Sequence, residues 1–155
     1  MKLSLINHEF RYELEKLVRI FLPFEKIEIF DMPFFSENCA ITKIEGTTAS
    51  AKVVLNGKIS SKSYKIDVCD DIEKEKELKL ALALYDCFCE ITGYSSSWGI
   101  LTGVRPAKLF SRFSKALGKD GAKEYFKNTF RVNESKISLC SASVSGESKI
   151  ISLSK

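Results

Sequence analysis

The sequence predicts an α+β fold: a small, mainly antiparallel sheet with packed helices, followed by a helical C-terminal segment. Three observations carry this. Residues 39–45, 48–55 and 58–68 are short, closely spaced strand-like runs, and Asn56-Gly57 between the last two is a strong type I′ hairpin signal. The stretch from Asp70 to Gly93 reads as one helix apolar on two faces, which must lie between the sheet and a further layer. From Pro106 onward the apolar residues recur at helical spacing, and cations occupy the opposite side.

Taken in order, Met1 to Ile6 reads as a short strand. His8 to Leu22 places Phe10, Leu14, Leu17, Val18 and Phe21 on one face of an amphipathic helix that Pro23 ends. Glu25 to Phe30 alternates Ile27 and Ile29 with charges, the two-residue period of a half-buried strand. Pro33, Ser36, Glu37 and Asn38 mark a loop before the meander. In its third strand Tyr64, Ile66 and Val68 alternate with Lys65 and Asp67, so one face is wet. Asp70, Asp71 and Glu73 suit the positive end of the next helix dipole, and Gly93 suits its stop. Residues 1–94 thus form a sheet-and-helix part, and Tyr94-Ser95-Ser96-Ser97 leads into a helical part over 95–155. The Pro106 helix turns Leu109, Phe110, Phe113 and Leu117 inward and ends near Gly118. Asp120 and Asn133 are expected N-caps of two further helices. Eight serines between Glu134 and Lys155 weaken the last of these, and residues 141–145 pass equally for a strand.

Hydrophobic residues make up 45% of the 155, aromatics 11%, ample for a core that removes about 70% of the unfolded chain's surface from water. Five scattered cysteines, an odd number, with no secretory leader read as reduced thiols of a cytoplasmic protein. Residues 78–91 form the longest apolar stretch. Lys79, Asp86 and Glu90 interrupt it, and it is too short to span a bilayer, so no membrane partner is expected.

Chemistry concentrates in Trp98-Gly99-Ile100-Leu101-Thr102-Gly103-Val104-Arg105-Pro106-Ala107-Lys108, which holds the only Trp, two of eight glycines and one of three prolines. Pro106 fits the first helical position, where its missing N–H costs nothing. Preceding a proline holds Arg105 extended, so its side chain projects at the helix entrance. Gly103 is expected to take positive φ and expose N–H groups beside the positive dipole end. Thr102, Gly103, Arg105 and Lys108 are therefore the candidates for anion or substrate binding or for a domain interface. Trp98 and Pro106 are the structural junction, with Trp98 mostly buried. The bland counterpart is a tight turn with a solvated arginine.

The pattern Trp-Gly-x-Leu-Thr-Gly-x-Arg-Pro-x-Lys resembles the stretch ahead of the radical SAM core in oxygen-independent coproporphyrinogen III oxidase-like proteins, in the coproporphyrinogen dehydrogenase branch. Trp98, Gly99, Leu101, Thr102, Gly103, Arg105, Pro106 and Lys108 fill its fixed positions. The order of a short strand, a helix with His8-Glu9-Phe10 and a β-rich stretch agrees, and residues 136–151 are similar to the helix before the barrel, although serine-rich where alanine is expected. The resemblance implies haem biosynthesis: a carboxylate-bearing tetrapyrrole whose propionates are oxidatively decarboxylated by a radical from S-adenosylmethionine. In a full-length relative that methionine compound chelates a [4Fe–4S] cluster held by C-x-x-x-C-x-x-C.

No such spacing occurs among Cys39, Cys69, Cys87, Cys89 and Cys140. Cys87 and Cys89, two apart on a helix, point to different sides and read as small core hydrophobes. His8, the single histidine, reads as a helix-start residue and leaves no Ser–His or Cys–His pairing. The expectation is an accessory N-terminal domain or fragment that is not catalytic alone. It carries no cofactor or metal of its own and has a radical SAM catalytic domain as its partner. The alternative is a stand-alone polyanion or nucleic-acid-binding module. Residues 101–131 hold eight Lys or Arg against Asp120 and Glu124, a net +6 within a chain of net +4. Tyr125, Phe126 and Phe130 could stack on bases, although helical spacing favours Phe126 and Phe130 as core. No nucleic-acid motif accompanies them, which makes this the weaker reading.

Overall fold

The computed structural model describes residues 1–101 and 105–142. The chain divides into two compact units, Met1–Ser95 and Ser96–Lys155. The first is the α+β part. Its elements are β1 (Lys2–Ile6), α1 (Arg11–Phe21), β2 (Glu28–Phe30), β3 (Cys39–Glu45), β4 (Thr48–Leu55), β5 (Lys58–Lys65) and α2 (Ile72–Thr92).

The five strands form one sheet in the order β2-β1-β3-β4-β5. The long ladders β3–β4 and β4–β5 are antiparallel, whereas β1 runs parallel to both β2 and β3. A strand in mid-sheet is covered on both faces, and Leu3, Ser4 and Leu5 are all buried in succession. Asn56 and Gly57, both at positive φ, close the hairpin as a type I′ turn requires.

Ala49, Ala51, Val53 and Leu55 form the buried row of β4, and small residues there let α2 lie close to the sheet. α2 buries Leu80, Leu82, Ala83, Leu84, Tyr85, Cys87, Phe88 and Ile91, a girth too wide for one stripe. Its second side meets α1, where Phe21 stacks on Phe88 at 4.9 Å between centroids and tilts against Tyr85 at 5.5 Å. Each such pair adds about 0.5–1.5 kcal/mol beyond area burial. Asp71 caps α2, accepting from Lys74 N–H at 3.2 Å, and Gly93 at φ 72° ends it with its N–H on the Cys89 carbonyl.

Three boundaries differ from those expected. α1 begins at Arg11 because His8–Phe10 are held outside the helix: Phe10 N–H donates to His8 Nδ1 at 3.3 Å, and His8 Nε2 lies 2.8 Å from Thr42 Oγ1. β2 starts at Glu28 and β5 ends at Lys65, leaving Val68 fully in solvent.

The second unit contains α3 (Pro106–Asn128), broken at Gly118, whose φ 80° and ψ 165° are not helical. Helix resumes to Asn128, and residues 134–142 form a further helix. Asn133 caps this last helix, its Oδ1 accepting from Lys136 N–H at 3.0 Å. Among the described residues Asp120, by contrast, makes no capping hydrogen bond, and the non-helical Gly118 separates the two stretches of α3. Residues 141–142 are helical rather than extended, and the remainder of the serine-rich stretch, 143–155, lies outside the described residues. Phe110, Ala122 and Phe126 are buried, and Phe110, Phe113, Tyr125, Phe126 and Phe130 pack ring against ring at 4.8–6.0 Å.

Candidate functional site

The Trp98 turn is built by close backbone packing within the second unit. Ile100 N–H donates to the Phe130 carbonyl at 2.9 Å, and Asn133 N–H donates to the Ser97 carbonyl at 3.0 Å, clamping residues 97–100 beside 130–133. Gly99 makes this approach possible. It is buried with φ +59°, and a Cβ there would meet the Phe130 carbonyl oxygen at 1.9 Å and the Arg131 carbonyl carbon at 2.5 Å. No side chain fits such a gap. The partner segment adapts too, since Arg131 takes a positive φ of 61°.

Trp98 follows from that clamp. It is partly buried, and the Lys136 ammonium lies 5.5 Å from its ring centroid, a cation–π contact. Pro106 occupies the first turn of α3, and Arg105 is its N-cap residue in extended conformation (φ −96°, ψ 98°) with no side-chain capping bond. Both features are what a proline at the helix start dictates. Arg105 and Lys108 are exposed, and among the described residues neither side chain has a hydrogen-bond or ion-pair partner. Thr102 and Gly103 lie outside the described residues. The fold at the first part of the motif therefore rests on Gly99. Its signal was present in the Trp-Gly pair but cannot be told from a turn glycine until Phe130 is placed.

The cysteines do not fit a [4Fe–4S] cluster. Cys39 is on β3, Cys87 and Cys89 are on α2, Cys69 is exposed after β5, and Cys140 belongs to the second unit. Among the described residues no group of three His, Cys, Asp or Glu side chains could hold a metal. Cys87 is fully buried, its Sγ 3.5 Å from the Ala51 carbonyl, and burial pushes its thiol up to about 11. A thiol held so firmly in its protonated form is a packing residue, neither ligand nor nucleophile. Cys89 is partly buried.

His8 is equally spoken for. Burial pulls its imidazole down to about 4, outweighing the hydrogen bond near Thr42. A neutral ring can accept from Phe10 at Nδ1 and donate from Nε2 to Thr42 Oγ1, whose hydroxyl donates to the Ser4 carbonyl at 2.9 Å. This chain joins the start of α1 to β3 and β1.

A cleft of about 440 Å³ in the second unit is lined by Asp120, Lys123, Glu124, Lys127 and Glu134, with Ile137 at its side. Its charges are mixed, and Lys127 Nζ pairs with Glu134 Oε1 at 2.7 Å, which raises the lysine and lowers the carboxyl. Neither histidine nor cysteine lines it, and Ser138 is beside Ile137 at its edge.

No protein-family model matches the chain, and no curated protein or solved structure matches it either. Among the described residues, no helix is long and apolar enough to cross a membrane.

Proposed function

We propose that the chain is the accessory N-terminal domain of a cytoplasmic radical SAM enzyme of haem biosynthesis, resembling coproporphyrinogen III dehydrogenase, with the catalysis supplied by a separate radical SAM domain. One observation carries the reading. The motif divides into residues the fold needs and residues it does not. Gly99 and Pro106 have structural reasons to be what they are, whereas Arg105 and Lys108 stand exposed and unpaired beside them. Unpaired cations at a fixed position beside a rigid turn suit recognition of something outside this chain. In such an enzyme the pair has two uses, to grip propionate carboxylates of the tetrapyrrole or to key the domain against the barrel. Guanidinium serves either, because it meets a carboxylate through two parallel hydrogen bonds. The residues present cannot hold the cluster, so no radical step belongs to them.

Coproporphyrin III, the stable oxidised form of the proposed substrate, tests the first use. It is titrated against the wild-type chain and the Arg105→Ala, Lys108→Ala and Lys115→Ala variants, with Trp98 fluorescence as the readout. A charge-assisted hydrogen bond is worth about 1.5–3 kcal/mol, so each of the first two variants should bind roughly 10- to 150-fold more weakly. Lys115→Ala, about two turns beyond Lys108, should bind like wild type. The second use is tested by adding a radical SAM domain from the same genome. Failure of the porphyrin to bind, and of Arg105→Ala and Lys108→Ala to weaken association with that domain, overturns the proposal.

A further inference from the structure

The cations of α3 continue well past the Arg105–Lys108 pair. From Ile91 to Lys119 the chain contains no Asp or Glu, yet it carries Arg105, Lys108, Arg112, Lys115 and Lys119. Lys108, Arg112 and Lys115 are separated by four and three residues, so at 3.6 residues per turn they fall within an arc of about 60°. Arg105 stands at the start of the same ridge, and all four side chains are exposed with no ion-pair or hydrogen-bond partner among the described residues. Among the described residues, six cations off the ridge, Arg19, Lys43, Lys62, Lys76, Lys79 and Lys127, have a carboxylate partner.

We infer that the Arg105–Lys115 ridge of α3 is a binding surface for the phosphate backbone of a nucleic acid duplex. The inference does not rest on the radical SAM reading, although the two share Arg105 and Lys108. Length is the first argument. At 1.5 Å per residue the ridge runs about 15 Å, and each of its four cations can neutralise one phosphate along a duplex groove edge. Composition is the second argument. The ridge positions are all cationic and offer no apolar centre of the kind a large protein interface buries, although the Arg105–Lys108 pair alone can still key a rim contact. Phe110 is wholly buried on the other side of this stretch of α3, and the exposed Leu117 also lies off the ridge.

The packing of the rings on one another also selects a duplex over a single strand. Phe113, Tyr125, Phe126 and Phe130 spend their faces and edges on one another, leaving no aromatic platform on the ridge. Single-strand binders rely on such platforms for base stacking. A ridge with charge alone favours the ligand of highest charge density, which is the duplex.

Fluorescence anisotropy of the full chain with a labelled 20-base-pair duplex of arbitrary sequence, as DNA and as RNA, tests this across salt. Four phosphate contacts predict a slope of log K against log salt of about −3.6, a loss of roughly 10²-fold between 50 and 200 mM. Arg112→Gln/Lys115→Gln should halve that slope to about −1.8 while leaving the far-UV CD spectrum unchanged. Because these two residues are outside the pair assigned to carboxylates, porphyrin binding should survive in this variant. Equal affinity for the DNA and RNA arms supports backbone recognition, and a preference for either supports it while naming the source. A wild-type slope shallower than about −1 overturns the inference, as does an unchanged slope in the double variant. Tighter binding to oligo(U) overturns it too, as does competition by polyglutamate as effective as that by unlabelled duplex.

Discussion

Acid should loosen the sheet unit through His8. Its ring is held neutral, accepting from Phe10 N–H at Nδ1 and lying 2.8 Å from Thr42 Oγ1 through Nε2. A proton at Nδ1 would put two donors face to face. The folded imidazole titrates at about 4 against an ordinary 6.5, and burial is the main cause. Between those values the unfolded chain binds the proton and the folded chain does not. Stability is therefore full above about pH 6.5, declines as pH falls, and levels off below about 4. At 1.36 kcal/mol per pH unit the full gap is worth about 3 kcal/mol, and because the ring is partly open to solvent, screening reduces this to about 1–2 kcal/mol. As His8 is the single histidine, its ring proton resonances can be followed by NMR without assignment. We expect a midpoint near 4, and urea unfolding by far-UV CD should lose about 1–2 kcal/mol between pH 7 and 4.5 relative to His8→Asn. That variant keeps an acceptor for Phe10 but has no imidazole to titrate. A midpoint at 6 or above, or identical pH profiles for the two proteins, would refute the reasoning.

Gly99→Ala should destabilise the second unit by about 3 kcal/mol or more, because its Cβ has no room against Phe130 and Arg131 and φ stays positive. A lowered melting midpoint of Trp98 fluorescence, with the sheet unit's far-UV CD transition unmoved, is the expected result, and an unchanged midpoint would contradict the clamp. Thiol labelling of the native chain at neutral pH should modify Cys69 within the mixing time. Buried Cys39, Cys87 and Cys140 should react only after denaturant is added, with burial also raising the last two thiols. Rapid modification of Cys87 in the native state would show that its packing against Ala51 is wrong.

Local chemistry in the sequence was readable where one residue type solves one backbone problem. Asn56-Gly57, Gly93 and Asn133 each sit where a positive φ or a cap is required, and Gly118 breaks α3 where the apolar run stops. The two apolar faces of α2 announced a layer on each side, which the sheet and α1 supply. Strand order was not readable. The alternation within residues 39–65 gives a meander, but nothing local says that β1 lies between β2 and β3. The candidate site divided the same way. Pro106 and the extended Arg105 follow from proline geometry, whereas the sequence does not tell the close approach at Gly99 from an ordinary turn glycine. That distinction depends on Phe130, thirty-one residues downstream, and no window of neighbouring residues contains it.

The central place of β1 has a consequence for how the sheet is assembled during synthesis. β3, β4 and β5 are joined by tight turns, so they can zip together as soon as Lys65 clears the ribosome. β1 leaves the ribosome first, yet it has no antiparallel neighbour to fold back upon. Its long ladder is to β3, from Lys2 against Cys39 to Ile6 against Lys43, a loop closure of thirty-seven residues. Non-local parallel pairings of this kind are slow to form. The first strand made is thus among the last to dock, and until it does, β2 has no strand to join. Mutations that slow this docking, at Leu3 or Leu5, should lengthen the time a growing chain spends with an open sheet edge rather than alter the finished fold.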